Sequence, residues 1–174
     1  MWDTARAFRD VEAGGLQSAA NDNAPHDIPS LLDFIVERYH RPHLRDLPCA
    51  IDLARRVEQS YAGRPGCPTG LADQLIAVAR DLEAHQRREE LIVFPLLRIG
   101  TPRCLDLAMR RMMDDHVGMD IRLMALQRLT STYRPSFEAP FCWQALSFMC
   151  RKLEAEMREH ARLEHEVLYS LLRA

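Results

Sequence analysis

His85-Gln86-Arg87-Arg88-Glu89 and His160-Ala161-Arg162-Leu163-Glu164 are near-copies of each other, 75 positions apart. Each sets a histidine and a glutamate four residues apart. Each then runs into an apolar stretch, ending Leu96-Leu97 in the first copy and Leu171-Leu172 in the second. On a helix this spacing puts both side chains on one face, a turn apart. Two matched pairs predict two helices that aim nitrogen and oxygen ligands at a common point.

The surrounding sequence supplies the helices. Ser30 is the expected N-cap of a first helix whose stripe begins Leu31, Phe34, Ile35 and Arg38. Pro42 and Pro48 are expected to bend or interrupt it before it resumes through Ile51, Leu53 and Val57. The Gly- and Pro-rich segment Gly63–Gly70 reads as a loop. A second helix is predicted over about Leu71–Arg98, with a kink at Pro95, and Gly100-Thr101-Pro102 as a tight connection. A third covers about Arg103–Thr132. Pro135–Pro140 forms the next loop, and a fourth helix covers about Phe141–Leu172. No strand pattern competes. The fold class is all-α, an antiparallel up-down-up-down four-helix bundle over residues 28–174. Residues 1–27 are small, polar and turn-prone and read as a flexible arm, with one helical turn near Ala5–Val11.

Antiparallel helices put residues equidistant from a loop at one height. His40 and His85 are equidistant from the start of the Gly/Pro loop, His85 and His116 from the Gly100-Thr101 turn, and His116 and His160 from Glu138. A slip of four residues would move a ligand by about 6 Å along the axis. Four histidines, one per helix, therefore share a level. Their flanking stripes face the core: Val36, Leu44 and Leu47 with His40; Leu82, Ile92 and Leu96 with His85; Met109, Met112, Met113 and Leu123 with His116; Leu153, Met157, Val167 and Leu171 with His160.

With 174 residues the chain suits one domain with a sizeable core. Its 23 basic and 25 acidic residues leave a formal charge of −2, which gives no basis for nucleic-acid or anionic-membrane binding. Five cysteines without a CxxC pair, and no signal peptide, read as the reduced thiols of a cytoplasmic protein. No apolar run reaches the ~20 residues of a membrane-spanning helix. No pattern of a nucleophile or phosphate loop defines a turnover reaction, and oligomeric state is not encoded in any pattern.

The predicted metal ligands are His40, His85, Glu89, His116, His160 and Glu164. Burying two carboxylates without counter-charge costs several kcal/mol each, and a metal centre removes that cost. Four imidazoles and two carboxylates exceed the needs of one tetrahedral zinc, while calcium and magnesium prefer all-oxygen shells. A mixed set across four helices suits two iron or manganese ions with bridging carboxylates and an oxo or hydroxo bridge. Positions left open on such ions bind small ligands: dioxygen, peroxide or nitric oxide.

Arg38-Tyr39-His40-x-x-His43, Leu47-Pro48, Pro68-x-Gly70-Leu71, His85-x3-Glu89-Glu90-x3-Phe94-Pro95, His116 and His160-x3-Glu164 resemble the hemerythrin-like, or HHE, cation-binding domain. They are most similar to the iron–sulfur cluster repair di-iron proteins, over roughly Ile28–Ala174. The resemblance implies a non-haem di-iron bundle. It implies a role in restoring iron–sulfur clusters damaged by nitrosative or oxidative stress, with iron–sulfur proteins as partners. The alternative is an oxygen- or redox-sensing module without repair activity. Repair proteins often carry an N-terminal domain with a cysteine pair, and residues 1–27 contain no cysteine. Close relatives have a histidine, treated as a ligand, where this chain has Tyr61. Tyr61 is therefore either a phenolate ligand or a loop-packing residue.

Other candidates have weaker positions. His43 reads as a further ligand, a surface histidine or one that supports a ligand. Asp120 reads as a ligand, an acceptor for His116 or a rim charge. Glu37 is placed to accept the other ring N–H of His40. Glu90 reads as a surface charge and His165 as solvent-facing. The methionines Met109, Met112, Met113, Met119 and Met124 read as adaptable core filler. Cys142 and Cys150 read as buried thiols, and Trp143 and Phe148 as packing residues.

Overall fold

A computed structural model describes residues 24–99 and 102–168. The expected helical turn near Ala5–Val11, the Gly100-Thr101 turn and Leu171-Leu172 lie outside them. Among the described residues all regular structure is helical. The first bundle helix consists of α1 (Ile28–Ile35), a π-helical turn (Val36–His40) and α2 (Arg41–Ser60). The second consists of α3 (Leu71–Arg88), a π turn (Glu89–Val93) and α4 (Phe94–Ile99). The third is α5 (Pro102–Leu129). The fourth is α6 (Phe141–Arg162) followed by a π turn (Leu163–Leu168). α2 packs on α3 and α6, and α3 also packs on α5, which gives the expected antiparallel bundle. No helix among the described residues is long and apolar enough to cross a membrane.

The first helix starts earlier than expected. Asp27, not Ser30, is the N-cap, and its carboxylate accepts from the Ser30 backbone N–H at 2.9 Å. Neither Pro42 nor Pro48 interrupts the helix. Pro48 sits exposed inside α2, on the face turned away from the core. Pro42 and Pro95 act differently. Each lies one residue beyond the residue that closes a π turn, where the Arg41 N–H bonds the Val36 carbonyl and the Phe94 N–H bonds the Glu89 carbonyl. A proline ring clashes with the carbonyl four residues back. For Pro42 and Pro95 that carbonyl, on Arg38 and Leu91, belongs to the widened turn. The kink expected at Pro95 is thus a π turn just before it.

A π turn holds one more residue than an α turn, so the inward stripe beyond it moves by one position. This accounts for the errors in the expected stripes of the first, second and fourth helices. Beyond Glu89–Val93, Val93 and Leu97 face inward instead of Ile92 and Leu96; Leu97 is 4% exposed and Ile92 52%. In the fourth helix Leu168 is fully buried, and Val167, expected inward, is half-buried and packs against the smaller apolar cluster. In the first, Tyr39 and His40 are adjacent and both buried, His43 follows, and Leu44 is 46% exposed. α5 has no π turn, and its stripe of Met109, Met112, His116 and Leu123 stands as expected, except that Met113 is 47% exposed.

Two apolar clusters fill the bundle. The larger, at the end holding loops 61–70 and 130–140, includes Leu47, Ala54, Val57, Leu75, Val78, Leu126, Trp143, Leu146 and Cys150. The smaller includes Leu31, Ile35, Val93, Phe94, Leu97, Met109, Met112 and Leu168. The histidines and glutamates occupy the layer between them. Gly70 opens α3 from a left-handed conformation (φ +86°) that a side chain would strain.

The shifted register is testable by denaturant unfolding of the metal-free protein. Leu97→Ala is expected to lower stability by about 2–5 kcal/mol, and Ile92→Ala by no more than about 0.5 kcal/mol. A larger loss at Ile92 would restore the unshifted register.

Candidate metal centre

The six expected ligands come from four helices at the one height set by the loops, and the structure brings all six together. Glu89 and Glu164 lie in the π turns that follow α3 and α6, and His40 closes the one before α2. Both glutamates are buried, at 1% and 0% exposure. Two groups of donors result: His40, His160, Glu89 and Glu164, and His85, His116, Glu89 and Glu164. Within each group the ligand atoms all lie within 4.8 Å of one another.

The carboxylates are shared oxygen by oxygen. Glu89 Oε1 is 3.0 Å from His85 Nε2, and its Oε2 is 3.3 Å from His40 Nε2. Glu164 Oε1 is 3.0 Å from His160 Nε2, and its Oε2 is 3.1 Å from His116 Nε2. Within each pair the imidazoles also converge, His40 and His160 with Nε2 atoms 3.2 Å apart and His85 and His116 with theirs 3.0 Å apart. Both oxygens of Glu89 and Oε2 of Glu164 accept no well-aligned hydrogen bond. Orphaned buried carboxylate oxygens are costly. Donors about 2.1 Å from one ion stand about 3.0 Å apart when neighbouring. The donor set fits cations placed among these atoms.

Electrostatics agree. At His85 burial works against a charged ring, yet the adjacent Glu89 carboxylate pushes its pKa up to about 9. At His40 burial also opposes charge, and Glu89 and Glu90 raise the pKa above the ordinary value. Burial would raise Glu164, but His160 and His116 hold it well below the usual carboxylate range. Without an ion, protons on these imidazoles balance the carboxylates, and a cation must displace them.

Outer contacts hold the rings. Tyr39 stacks on His160 at 5.5 Å and Phe94 on His40 at 5.8 Å. His40 Nδ1 donates to Glu90 Oε1 at 2.9 Å. His85 Nδ1 is 3.5 Å from Asp115 Oδ2, an oxygen that also pairs with Arg88. His116 Nδ1 is 2.7 Å from His165 Nε2. Glu90 and His165 were thus misread as outward residues, because the π turns rotate both toward the site. The contact expected of Glu37 falls to Glu90, and Glu37 is exposed beside Arg41. Asp120 is a rim charge on Arg158 at 3.0 Å. His43 is buried and accepts from Gln86 Nε2 at 3.2 Å; burial and the nearby His160 and His40 push its pKa down to about 3. Burial and His116 likewise hold His165 below the ordinary imidazole range. Tyr61 caps α2 at the far end, stacked on Trp143 at 6.2 Å with its hydroxyl 3.5 Å from Cys142 Sγ. It packs the loop. Asp115 had no distinguishing signal in the sequence; its position one residue before His116 was the only hint.

A cleft of about 210 Å³ opens between α5 and α6 and is walled in part by His85, His116, His160 and His165. A second of about 280 Å³ reaches His85 and Glu89 between the second helix and α5.

Comparison with known proteins agrees with this architecture. The chain is 35% identical over 146 residues to the iron–sulfur cluster repair protein YtfE of Edwardsiella ictaluri, covering 84% of this chain and 65% of that protein. It is 29% identical over 168 residues to the YtfE proteins of Yersinia pseudotuberculosis and Yersinia pestis, covering 92% of this chain and 76% of theirs. The chain therefore spans just under two thirds of the length of the Edwardsiella relative. The hemerythrin HHE cation binding domain matches residues 18–172, which takes in all four helices and every residue of the buried histidine–glutamate layer, and the chain belongs to that family.

Proposed function

We propose that the centre holds two iron ions, one between His40 and His160 and one between His85 and His116, with Glu89 and Glu164 shared by both. The protein uses them to repair or protect iron–sulfur clusters under nitrosative or oxidative stress. The observation that carries this reading is the division of four carboxylate oxygens among four imidazole nitrogens, with three of those oxygens left without hydrogen bonds in the core. The relatives named for cluster repair support the biological role.

Bound iron supplies a redox-active Lewis acid able to take up nitric oxide, dioxygen or peroxide. The chain's own residues do the rest. The four histidines present Nε2 inward. Glu90 fixes the His40 tautomer by accepting its Nδ1 proton. Tyr39 and Phe94 hold two of the rings against rotation. The apolar clusters on either side keep bulk water from the layer. The clefts beside His85 and His116 admit small molecules.

Elemental analysis of the purified protein is expected to give about two irons per chain. His85→Ala or Glu164→Ala should remove most of that iron and lower the melting temperature, because binding is linked to folding. Full occupancy in a His85/His160 double alanine variant would refute the ligand set, and one zinc per chain would refute the reading as a whole. For the biological role, the iron-loaded protein should restore activity to a dehydratase whose cluster has been damaged by nitric oxide, and Glu164→Ala should not. Iron-replete protein that leaves the dehydratase inactive would favour oxygen or redox sensing.

A further inference from the structure

α5 carries a face that its own chain leaves uncovered. Its inward stripe is Met109, Met112, His116 and Leu123. On the opposite side Val117, Ile121 and Met124 are each more than half exposed. At about 100° per residue, Asp114, Ile121 and Arg128 fall along one line, each seven residues from the next. Val117 and Met124 flank that line on one side, Gly118 and Ala125 on the other. A continuous apolar row of this kind differs from singly scattered surface residues and marks a contact surface.

Two features point to what covers it. The first is charge. Asp114 and Arg128 are exposed, and neither side chain has a hydrogen-bond or ion-pair partner among the described residues. They stand at equal distances from Ile121, one before it and one after. When a second α5 is turned end for end about Ile121, Asp114 of each copy faces Arg128 of the other. One two-fold axis makes both pairs, which is the self-complementarity an isologous contact demands. A parallel pairing would set Asp114 on Asp114 and Arg128 on Arg128. The second feature is Gly118. Glycine inside a helix is less stable than alanine, and a Cβ at Gly118 would meet no atom of this chain within 4 Å. Nothing in the chain's own packing therefore requires it. With Ala125 seven residues on, it lowers one side of the face and lets another helix come close.

We propose that this face docks a second copy of the chain, the two α5 helices lying antiparallel with Ile121 on the two-fold axis. Val117, Ile121 and Met124 offer about 300 Å² per copy, at roughly 100 Å² each, where a stable pair needs about 800 Å² per partner. The same axis supplies more. Leu107 lies 14 residues before Ile121, about 21 Å along the helix. The loop at residues 130–140 extends past the other end of α5, and the antiparallel second copy brings its own loop to the level of Leu107. Leu107 is mostly exposed, and Phe137 in that loop almost wholly so. The contact is of moderate size, and the pair forms at micromolar rather than nanomolar concentration.

Sedimentation velocity of the full chain between about 1 and 100 µM tests this, with thermal melting followed by circular dichroism to show that each variant is folded. Wild type should shift from monomer toward dimer over that range. Asp114→Arg and Arg128→Asp each set like charges opposite one another at both ends and should weaken pairing about 10-fold or more. Mixed one to one, the two variants join opposite charges at every such contact, and a heterodimer should form about as tightly as the wild-type pair. Gly118→Gln, which favours the helix, should raise the melting temperature yet weaken pairing. A wild type that stays monomeric throughout leaves the face to a different partner and overturns the proposal. A dimer that the charge variants leave intact, or a mixture of the two that fails to pair, overturns it as well.

Discussion

Two buried carboxylates facing each other between four imidazoles set the terms for the rest of the bundle. Glu89 and Glu164 share one layer with no lysine or arginine among their close partners. An uncompensated charge at such depth costs several kcal/mol. Positive charge must enter the layer, either as protons on His40 and His85 or as cations. The bundle places all four imidazoles at one height for that reason. It also keeps the two apolar clusters apart, one on each side, so that neither invades the polar layer.

Holding that layer conflicts with ordinary helix packing. Each HxxxE pair must point at the centre while the residues beyond it pack in a separate apolar cluster. The π turns reconcile the two demands. They lie at Val36–His40, Glu89–Val93 and Leu163–Leu168, each containing a residue of the centre. By moving the inward stripe one position, they let Val93 and Leu97 or Leu168 bury themselves without turning the glutamate away. α5 contributes one histidine and no glutamate, and it stays regular. The widened turns therefore mark where a helix must serve ligation and packing at once.

Much of this was legible in the sequence. Helix lengths, loops and the shared height of four histidines follow from local chemistry: apolar periodicity, glycine and proline punctuation, and the fixed rise of a helix. The four histidines of the buried layer were placed that way, and Glu89 and Glu164 by their spacing from His85 and His160; the structure brings the six together. What was missed lies one residue past a π turn. Ile92 and Leu96 were assigned inward, and Glu90 and His165 outward, by extending an α-helical period that the structure breaks. Pro42 and Pro95 gave a local warning of two breaks, read as bends in the wrong form. The third has no proline behind it, and only the tertiary requirement at Glu164 accounts for it. Tyr61 was drawn toward the metal by resemblance, but it follows the end of α2, far from the layer, and packs on Trp143.

The depth of the centre also constrains the repair role proposed above. His40, His160, Glu89 and Glu164 are each no more than 2% exposed, and the openings beside the layer hold about 210 and 280 Å³. These are smaller than most pockets that take a drug-sized ligand, and far smaller than a protein-bound cluster with its surrounding chain. Among the described residues, neither of these two openings is wide enough to bring an iron–sulfur cluster of another protein onto these donors while the helices stay packed. In the proposed repair, what crosses a lateral cleft of this size is a diatomic molecule, a peroxide or a single ion. Direct cluster-to-centre contact would require the helices to part, and that would expose both buried carboxylates and dismantle the charge balance on which the layer depends.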